Sequence, residues 1–446
     1  MSITRIKVNN FRSIEKLDIE LPSNSRVLCF VGENGSSKTS VLSLIVEAIV
    51  SRSQLNFPNH TISDERRYRM VSAKEIRRGC RFYSNEVAYS TMGKRNYEYK
   101  KLVGISNSVP RGDYVDIIDD LILPAFGFPM AEKSSLDGTN PVDDFLFKEV
   151  FLVRPGGRYE NYDYEVKNKT ETTSLKVTTA FDSHMPYPFF VAHSGSDVQE
   201  TILNMLFDSF IGYSDTRLVV QWITPFLEEI TGKKFGTLQV SNMPFRQLLS
   251  SEVGEVNSFS QGELDLLVTI VNVIKQQLFH YGRYTLQERG HLGIDSPFKV
   301  PGIVIIDEVD LHLHPRAQES YVKLLTEKFP NIQFVVTTHS PFIIRGLPKE
   351  SVVVTLPNGR VFSSDFHKMD IDSIVSIIFQ YSGRFSIDVV KKLEEFRGEL
   401  VSENPRIEKL KSIFSEFSDS QAAKGELELY LATYGTVEIN QAMKGE

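Results

Sequence analysis

The chain has 446 residues, 41% hydrophobic and 24% charged, with a net charge of −7. That length exceeds what one growing core accommodates, so two lobes or one domain with large insertions are expected, and the acidic balance excludes a polycation built to coat nucleic acid. Cys29 and Cys80 are the two cysteines, too few for a disulfide framework or a cysteine zinc site, so a reducing cytoplasmic setting is expected; the N-terminus has no signal-like apolar region, and no apolar run approaches the roughly 20 residues that span a bilayer.

Alternation over Ile3–Val8 and Leu17–Leu21 predicts two antiparallel strands. Between them sits Arg12, either a solvated turn residue or, being close in sequence to the glycine loop that follows, a nucleotide contact. Val27–Val31 reads as a strand, Gly32-Glu33-Asn34-Gly35-Ser36-Ser37-Lys38-Thr39 as a glycine loop, and Val41–Val50 as a helix that ends near Ser53. In such a loop backbone N–H groups at a helix N-terminus cradle phosphate oxygens, which makes Asn34, Gly35, Ser36 and Ser37 candidate phosphate contacts. Lys38 would reach the β- and γ-phosphates and the Thr39 hydroxyl would ligate Mg2+. The residue before the lysine is glycine in the usual pattern, because glycine leaves room for phosphate and accepts unusual dihedrals. Here it is Ser37, a departure that bears on turnover.

From Arg52 to Lys101 basic residues outnumber acidic ones. Arg66, Arg67, Arg69, Arg77, Arg78, Arg81, Lys94, Arg95, Lys100 and Lys101 are interleaved with Tyr68, Phe82, Tyr83, Tyr89, Tyr97 and Tyr99. Two readings stay open. One is a nucleic-acid face, with cations on phosphates and rings stacked on bases; the other is a β-rich insertion whose charges face water and whose aromatics form a core. Pro/Gly clusters punctuate residues 110–190, Tyr159–Phe181 alternates like a hairpin, and Pro188–Ala192 looks like a strand. Residues 197–232 have helical periodicity, with Trp222, Ile223 and Phe226 on one face. There is no internal repeat and no sustained heptad pattern.

Ser260-Gln261-Gly262-Glu263 precedes an amphipathic helix over Leu264–Leu278. A serine and a glycine at a helix start make an anion-binding N-terminus, while a capping box of Ser260 and Glu263 reads the same residues structurally. Gly302–Ile306 is wholly apolar, as in a buried parallel strand, and ends in Asp307-Glu308. Carboxylates there face the ligand crevice of an open α/β sheet; Asp307 would hold Mg2+ and Glu308 would polarise the attacking water as general base. Asp310, His312 and His314 follow, with no obvious third ligand to make the histidines a metal site, and Pro315 suits the first turn of a helix to Phe329. Ile332–Thr338 is a second buried strand. His339 at its end sits level with Asp307 and Glu308 if the strands are neighbours, placed to hydrogen-bond a γ-phosphate. Ser351–Thr355 is a further strand, and residues 370–446 are charged, leucine-spaced and helical.

In order, Gly32–Thr39, Ser260–Glu263, Asp307-Glu308, Asp310 and His339 resemble the Walker A, signature, Walker B, D-loop and H-loop motifs of ABC-type ATPases. The opening Val8–Ile14 and the His312–Pro315 run look most like the branch with SMC, Rad50 and OLD-like proteins. The resemblance implies an α/β fold: an ABC-type P-loop core with a mixed sheet over residues 1–55 and 251–365, a β/α insertion or lid over 56–250, and a helical region over 366–446. It implies ATP and Mg2+ as cofactors, with Glu308, His339 and Lys38 catalytic and Thr39 and Asp307 on the metal. Arg12, the Asn34–Thr39 loop and Asp310 would bind nucleotide, and Ser260, Gly262 and Glu263 would act in trans on ATP held by another copy in a head-to-tail homodimer. The missing heptads exclude long SMC-type coiled coils. The roughly hundred residues after His339 are too few for the nuclease domain of OLD proteins plus these helices. The tail resembles the stand-alone ATPases of anti-phage systems such as Septu, PARIS and some retrons, in which a separate nuclease protein associates. The expected function is therefore an ATPase subunit that senses infection and controls a partner nuclease, with no membrane partner. A RecF- or Rad50-like repair ATPase acting directly on DNA, with the basic insertion as the candidate nucleic-acid contact, and a nucleotide-locked scaffold with little turnover are the alternatives. A glutamine-bearing Q-loop between Walker A and the signature is not placed.

Overall fold

The computed structural model describes residues 1–56, 75–92, 96–105, 120–122, 130–137, 148–157, 189–191, 198–212, 214–241, 247–381, 385–402 and 405–444. Strands β1 (Ser2–Phe11), β2 (Ile14–Glu20) and β3 (Val27–Val31) lead into helix α1 (Lys38–Asn56). Then come β4 (Phe82–Ser90), β5 (Asn96–Ile105), β6 (Asp120–Ile122), β7 (Met130–Asp137), β8 (Val150–Arg154), β9 (Phe189–Val191), α2 (Val198–Phe210) and α3 (Ser214–Thr231). A small sheet of β10 (Leu238–Ser241), β11 (Gln247–Ser250) and β12 (Gly254–Glu255) precedes α4 (Gln261–Tyr281) and α5 (Leu286–Leu292). The chain continues through β13 (Gly302–Ile306), α6 (Pro315–Lys328), β14 (Ile332–Thr338), α7 (Pro341–Arg345), β15 (Ser351–Thr355), β16 (Arg360–Phe362) and α8 (Ile371–Ile377). Helices α9 (Ile387–Leu400), α10 (Ile407–Glu416), α11 (Gln421–Tyr434) and α12 (Val437–Lys444) end it. Two compact units result, Met1–Ile374 and Val375–Glu446.

The first unit is built on a seven-stranded sheet in the order β16-β15-β3-β14-β13-β8-β9. Its strands run parallel except β16, which pairs antiparallel at one edge. Strands β3, β8, β13, β14 and β15 are buried at every residue. Strands covered on both faces need unbroken apolar runs, which is why these read as Val/Ile/Phe blocks rather than alternating patterns. A second, antiparallel sheet has the order β2-β1-β4-β5-β7-β6. One core joins Val41, Leu42, Ile45 and Ile49 of α1 to Ile6 and Val8 of β1 and to Phe30 and Ile305 of the parallel sheet. Helices α2 and α3 pack on each other and on α4. Gly212, at φ +107°, lies in the turn that divides the periodic stretch 197–232 into these two helices; that dihedral favours glycine. Trp222 lies 4.8 Å from Phe226 and 5.1 Å from Phe298, centroid to centroid, as its helical face requires.

Residues expected as an insertion thus enter both sheets: β4 to β7 extend the sheet begun by β1 and β2, and β8 and β9 join the parallel one. The described aromatics of the basic stretch are mostly core residues. Tyr83, Tyr89, Tyr97 and Tyr99 are buried, and Tyr89 stacks on Tyr97 at 5.2 Å. Lys101 is buried against Glu47, and Arg77 pairs with Glu15. Arg66, Arg67, Tyr68, Arg69, Lys94, Arg95 and the Tyr159–Phe181 hairpin lie outside the described residues. In the second unit Leu393, Phe396 and Leu400 of α9 close a separate core with Leu410 and Ile413 of α10, Leu427 and Leu431 of α11 and Ile439 of α12. Among the described residues no helix is long and apolar enough to cross a membrane.

Candidate nucleotide site

Strand order makes the site. β3, β14 and β13 are neighbours, with Val31 opposite Thr338 and Val336 opposite Ile306. Their C-terminal ends, where ligands bind in open parallel sheets, therefore bring together the glycine loop, His339 and Asp307-Glu308.

In the glycine loop Gly32 has φ +149°, and a Cβ there would lie 2.3 Å from the Leu356 carbonyl oxygen. Gly35 has φ +83° with open space around it. Ser37 adopts φ +75°, the left-handed conformation that a glycine would take without strain. What offsets that strain is a link to the β1–β2 turn: Ser37 Oγ lies 2.7 Å from Ser13 Oγ and accepts from Ser13 N at 3.4 Å. Ser37→Gly relieves about 1–2 kcal/mol of left-handed strain, loses about 1 kcal/mol of hydrogen bonding and loosens the unfolded chain by up to about 1 kcal/mol. The expected stability change in a denaturant titration is therefore within about 1 kcal/mol of zero.

Lys38 Nζ curls back to donate to the carbonyls of Gly32 at 2.8 Å and Glu33 at 2.9 Å. Desolvation lowers its pKa, against the opposing pull of Asp307, Glu308 and Asp310. The Thr39 hydroxyl donates to Asp307 Oδ2 at 2.8 Å. Thr337 Oγ1 donates to the other oxygen of Asp307 and accepts from Glu308 N at 2.7 Å. Glu308 is half-buried at φ +51°, a costly conformation that surrounding contacts must enforce. Asp310 accepts from Thr338 Oγ1 and from His339 N at 3.4 Å. Thr39 and Asp307 present hard oxygens to one point, the donor type Mg2+ takes.

His339 is exposed at the end of β14. Partial desolvation first, then the charge of Lys38, lowers its pKa from 6.5, while Asp310, Glu308 and Asp307 push the other way. A base whose folded pKa lies below its unfolded one binds fewer protons when folded, so stability rises with pH up to the unfolded value. The chain is expected to lose stability as pH falls below 6.5. His339→Gln is expected to lose less over the same range, as thermal melts from roughly pH 7 to pH 5 would show.

Other expected site residues have different surroundings. Arg12, at φ +50°, pairs its guanidinium with both carboxylate oxygens of Glu75, and the next residue, Ser13, contacts Ser37 of the loop. Ser260 caps α4 in a full capping box with Glu263, whose carboxylate also pairs with Lys233 at 3.0 Å. Gly262 is buried, and a Cβ there would lie 2.4 Å from the His312 carbonyl oxygen. Close backbone contact explains that glycine. Ser260 is exposed beside an open cavity that His312, His314, Arg316 and Lys233 also line. Sequence reasoning missed Ser13, Thr337 and Thr338, and it missed Gly156, where a Cβ would lie 3.0 Å from Glu308 Cδ. Its strand was legible in principle, because Val150–Val153 is an apolar run ending in a charged residue and Pro155-Gly156-Gly157.

Residues 1–102 match the AAA ATPase domain family, and residues 287–345 match a second AAA domain family, described with the AbiEii toxin of type IV toxin–antitoxin systems. The chain is 22% identical over 397 residues to "Retron Vc95 probable ATPase" of Vibrio cholerae serotype O1 biovar El Tor, which covers 79% of this chain and 73% of that one. It is 51% identical to Septu protein PtuA of Bacillus mycoides (strain KBAB4) over 61 residues, 14% of this chain and 9% of that one. Among solved structures, the SMC head domain from Thermotoga maritima has 16% identity, covers 81% of this chain and 97% of that chain, and gives a TM-score of 0.37. The loop and the family matches agree on an AAA-type ATPase domain, and the chain is similar to a retron ATPase over most of its length and to Septu protein PtuA over a short segment.

Proposed function

We propose that the chain is the ATP-hydrolysing subunit of an anti-phage defence complex, sensing infection and controlling a separate nuclease. The observation that carries the ATPase chemistry is the Thr39 hydroxyl on the Asp307 carboxylate at 2.8 Å, across 268 positions of sequence. On nucleotide binding Lys38 exchanges the Gly32 and Glu33 carbonyls for the β- and γ-phosphates, and the N–H groups of Asn34–Thr39 surround the phosphate oxygens. Thr39 and Asp307 would hold Mg2+, which neutralises charge on the phosphates when bound. Glu308 accepts a proton from the water attacking in line, and His339 hydrogen-bonds the γ-phosphate. Positioning and charge stabilisation supply most of the catalysis.

Ser260 and Gly262 of a second copy cover the nucleotide in a head-to-tail homodimer, with Asp310 at the same seam. The exposure of Ser260 supports this part of the reading. ATP that binds the closed assembly more tightly than the open one shifts the population towards closure, and that shift is what the partner nuclease senses. The similarity to a retron ATPase and to Septu protein PtuA supports the defence setting. The test is purification from native expression, followed by mass analysis of what co-elutes. A separate nuclease protein is the expected finding. Duplex DNA bound in an ATP- and salt-dependent manner, with no nuclease, would move the reading to DNA repair.

A further inference from the structure

Arg154 ends β8 and is fully buried, and its counter-charge is Asp265, 1% exposed, on α4. Arg154 Nη2 donates to Asp265 Oδ1 at 2.6 Å. The backbone of the same residue serves the nucleotide site, since its carbonyl accepts from Asp307 N at 2.9 Å. Two residues on, Gly156 lies against both carboxylates: a Cβ there would be 3.0 Å from Glu308 Cδ and 3.2 Å from Asp307 Oδ2. Asp265 stands five residues after Ser260 on one helix, and Gly262 seats that helix on the His312 carbonyl. The three residues Arg154–Gly156 therefore touch the acidic pair through the main chain and the Ser260 helix through a side chain.

A buried ion pair is weak evidence for a stabilising role. Apolar residues of similar volume commonly replace a buried ion pair without loss of stability, and the best-attested reason to keep one is a unique register. We propose that Arg154 and Asp265 are a positioning pair, fixing the offset between Asp307-Glu308 and the Ser260 helix so that both move as one body. The nucleotide held by one copy then sets the height of the serine that this copy offers to its neighbour, which couples the two sites of a dimer. This inference rests on the ATPase reading above.

The test is the double variant Arg154→Met/Asp265→Leu in the full chain, with Glu308→Gln measured alongside. The double variant is expected to melt like the native chain and to keep its KM for ATP within about twofold, while kcat falls about tenfold or more. A kcat within about twofold of native, with Glu308→Gln inactive, overturns the positioning role and leaves the ATPase reading standing. Turnover retained in both variants overturns the inference and removes Glu308 from the chemistry, whereas a native chain with no turnover removes the ATPase reading and the inference with it. Should the double variant fail to fold, Arg154→Lys decides, because lysine keeps the charge and loses the planar fork. A lowered kcat at unchanged KM supports the role, and full turnover overturns it.

Discussion

Glu308→Gln is expected to bind ATP as the native chain does and to turn it over about 10²- to 10⁴-fold more slowly. The amide has the shape of the carboxylate and accepts no proton at neutral pH, so the substitution removes the proposed base while keeping its shape. The backbone around it is held independently of the charge. Glu308 N donates to Thr337 Oγ1, and the φ of +51° is enforced by a turn whose Leu311 N donates to the Glu308 carbonyl at 3.0 Å. Thr39, Thr337 and Asp307 stay in contact, so the residues proposed to hold Mg2+, Thr39 and Asp307, are unaltered. ATP that binds without being cleaved accumulates in the closed form, and the variant is expected to elute as a larger species with ATP than without it. Phosphate release and size-exclusion chromatography measure the two effects. Native chain and variant with equal turnover would remove Glu308 from the chemistry; a native chain with no measurable turnover would support a nucleotide-locked scaffold, the reading that Ser37 favours.

Gly32→Ala is expected to cost at least about 3 kcal/mol of folding stability, from backbone strain together with overpacking. Its Cβ would lie 2.3 Å from the Leu356 carbonyl oxygen and 2.7 Å from Ser36 Oγ. Leu356 N donates to the Val31 carbonyl at 2.8 Å, so the clash is with backbone already fixed to β3. Either the loop opens and the phosphate cradle is lost, or β15 shifts from β3. Gly35→Ala supplies the contrast. Gly35 has φ +83° and nothing within 4 Å of an added Cβ, so that variant is expected to pay the dihedral term alone, about 1–2 kcal/mol. Urea titration of the two variants separates collision from dihedral strain. Equal losses would mean that the Leu356 contact relaxes at little cost.

Much of this arrangement was legible because its parts are local. The glycine loop lies between an apolar strand and a helix, Asp307 follows a wholly apolar strand, and His339 follows a buried one. A strand buried on both faces announces itself by composition, and its polar end marks the crevice. What escaped depends on which strand lies beside which. The run Val150–Arg154 looks like many others in a region of short strands, and nothing local says that it pairs with β13. Arg154 reads as a surface cation until its strand is known to be central. Thr337 and Thr338 read as ordinary β-formers until β14 is known to lie between β3 and β13. The capping box at Ser260 was legible too, and both of its hydrogen bonds are present. At Gly262 a Cβ would lie 2.4 Å from the His312 carbonyl oxygen, a close approach that sequence spacing does not display.

The four terminal helices keep their own apolar contacts, from Leu393 to Ile439, within a unit that begins at Val375. Roughly seventy residues is near the lower limit for a segment that folds unaided, and the division falls within α8 (Ile371–Ile377). A unit with a core of its own can be exchanged as a block. A chimera that grafts another ATPase's ending after α8 would reveal whether target choice travels with the tail.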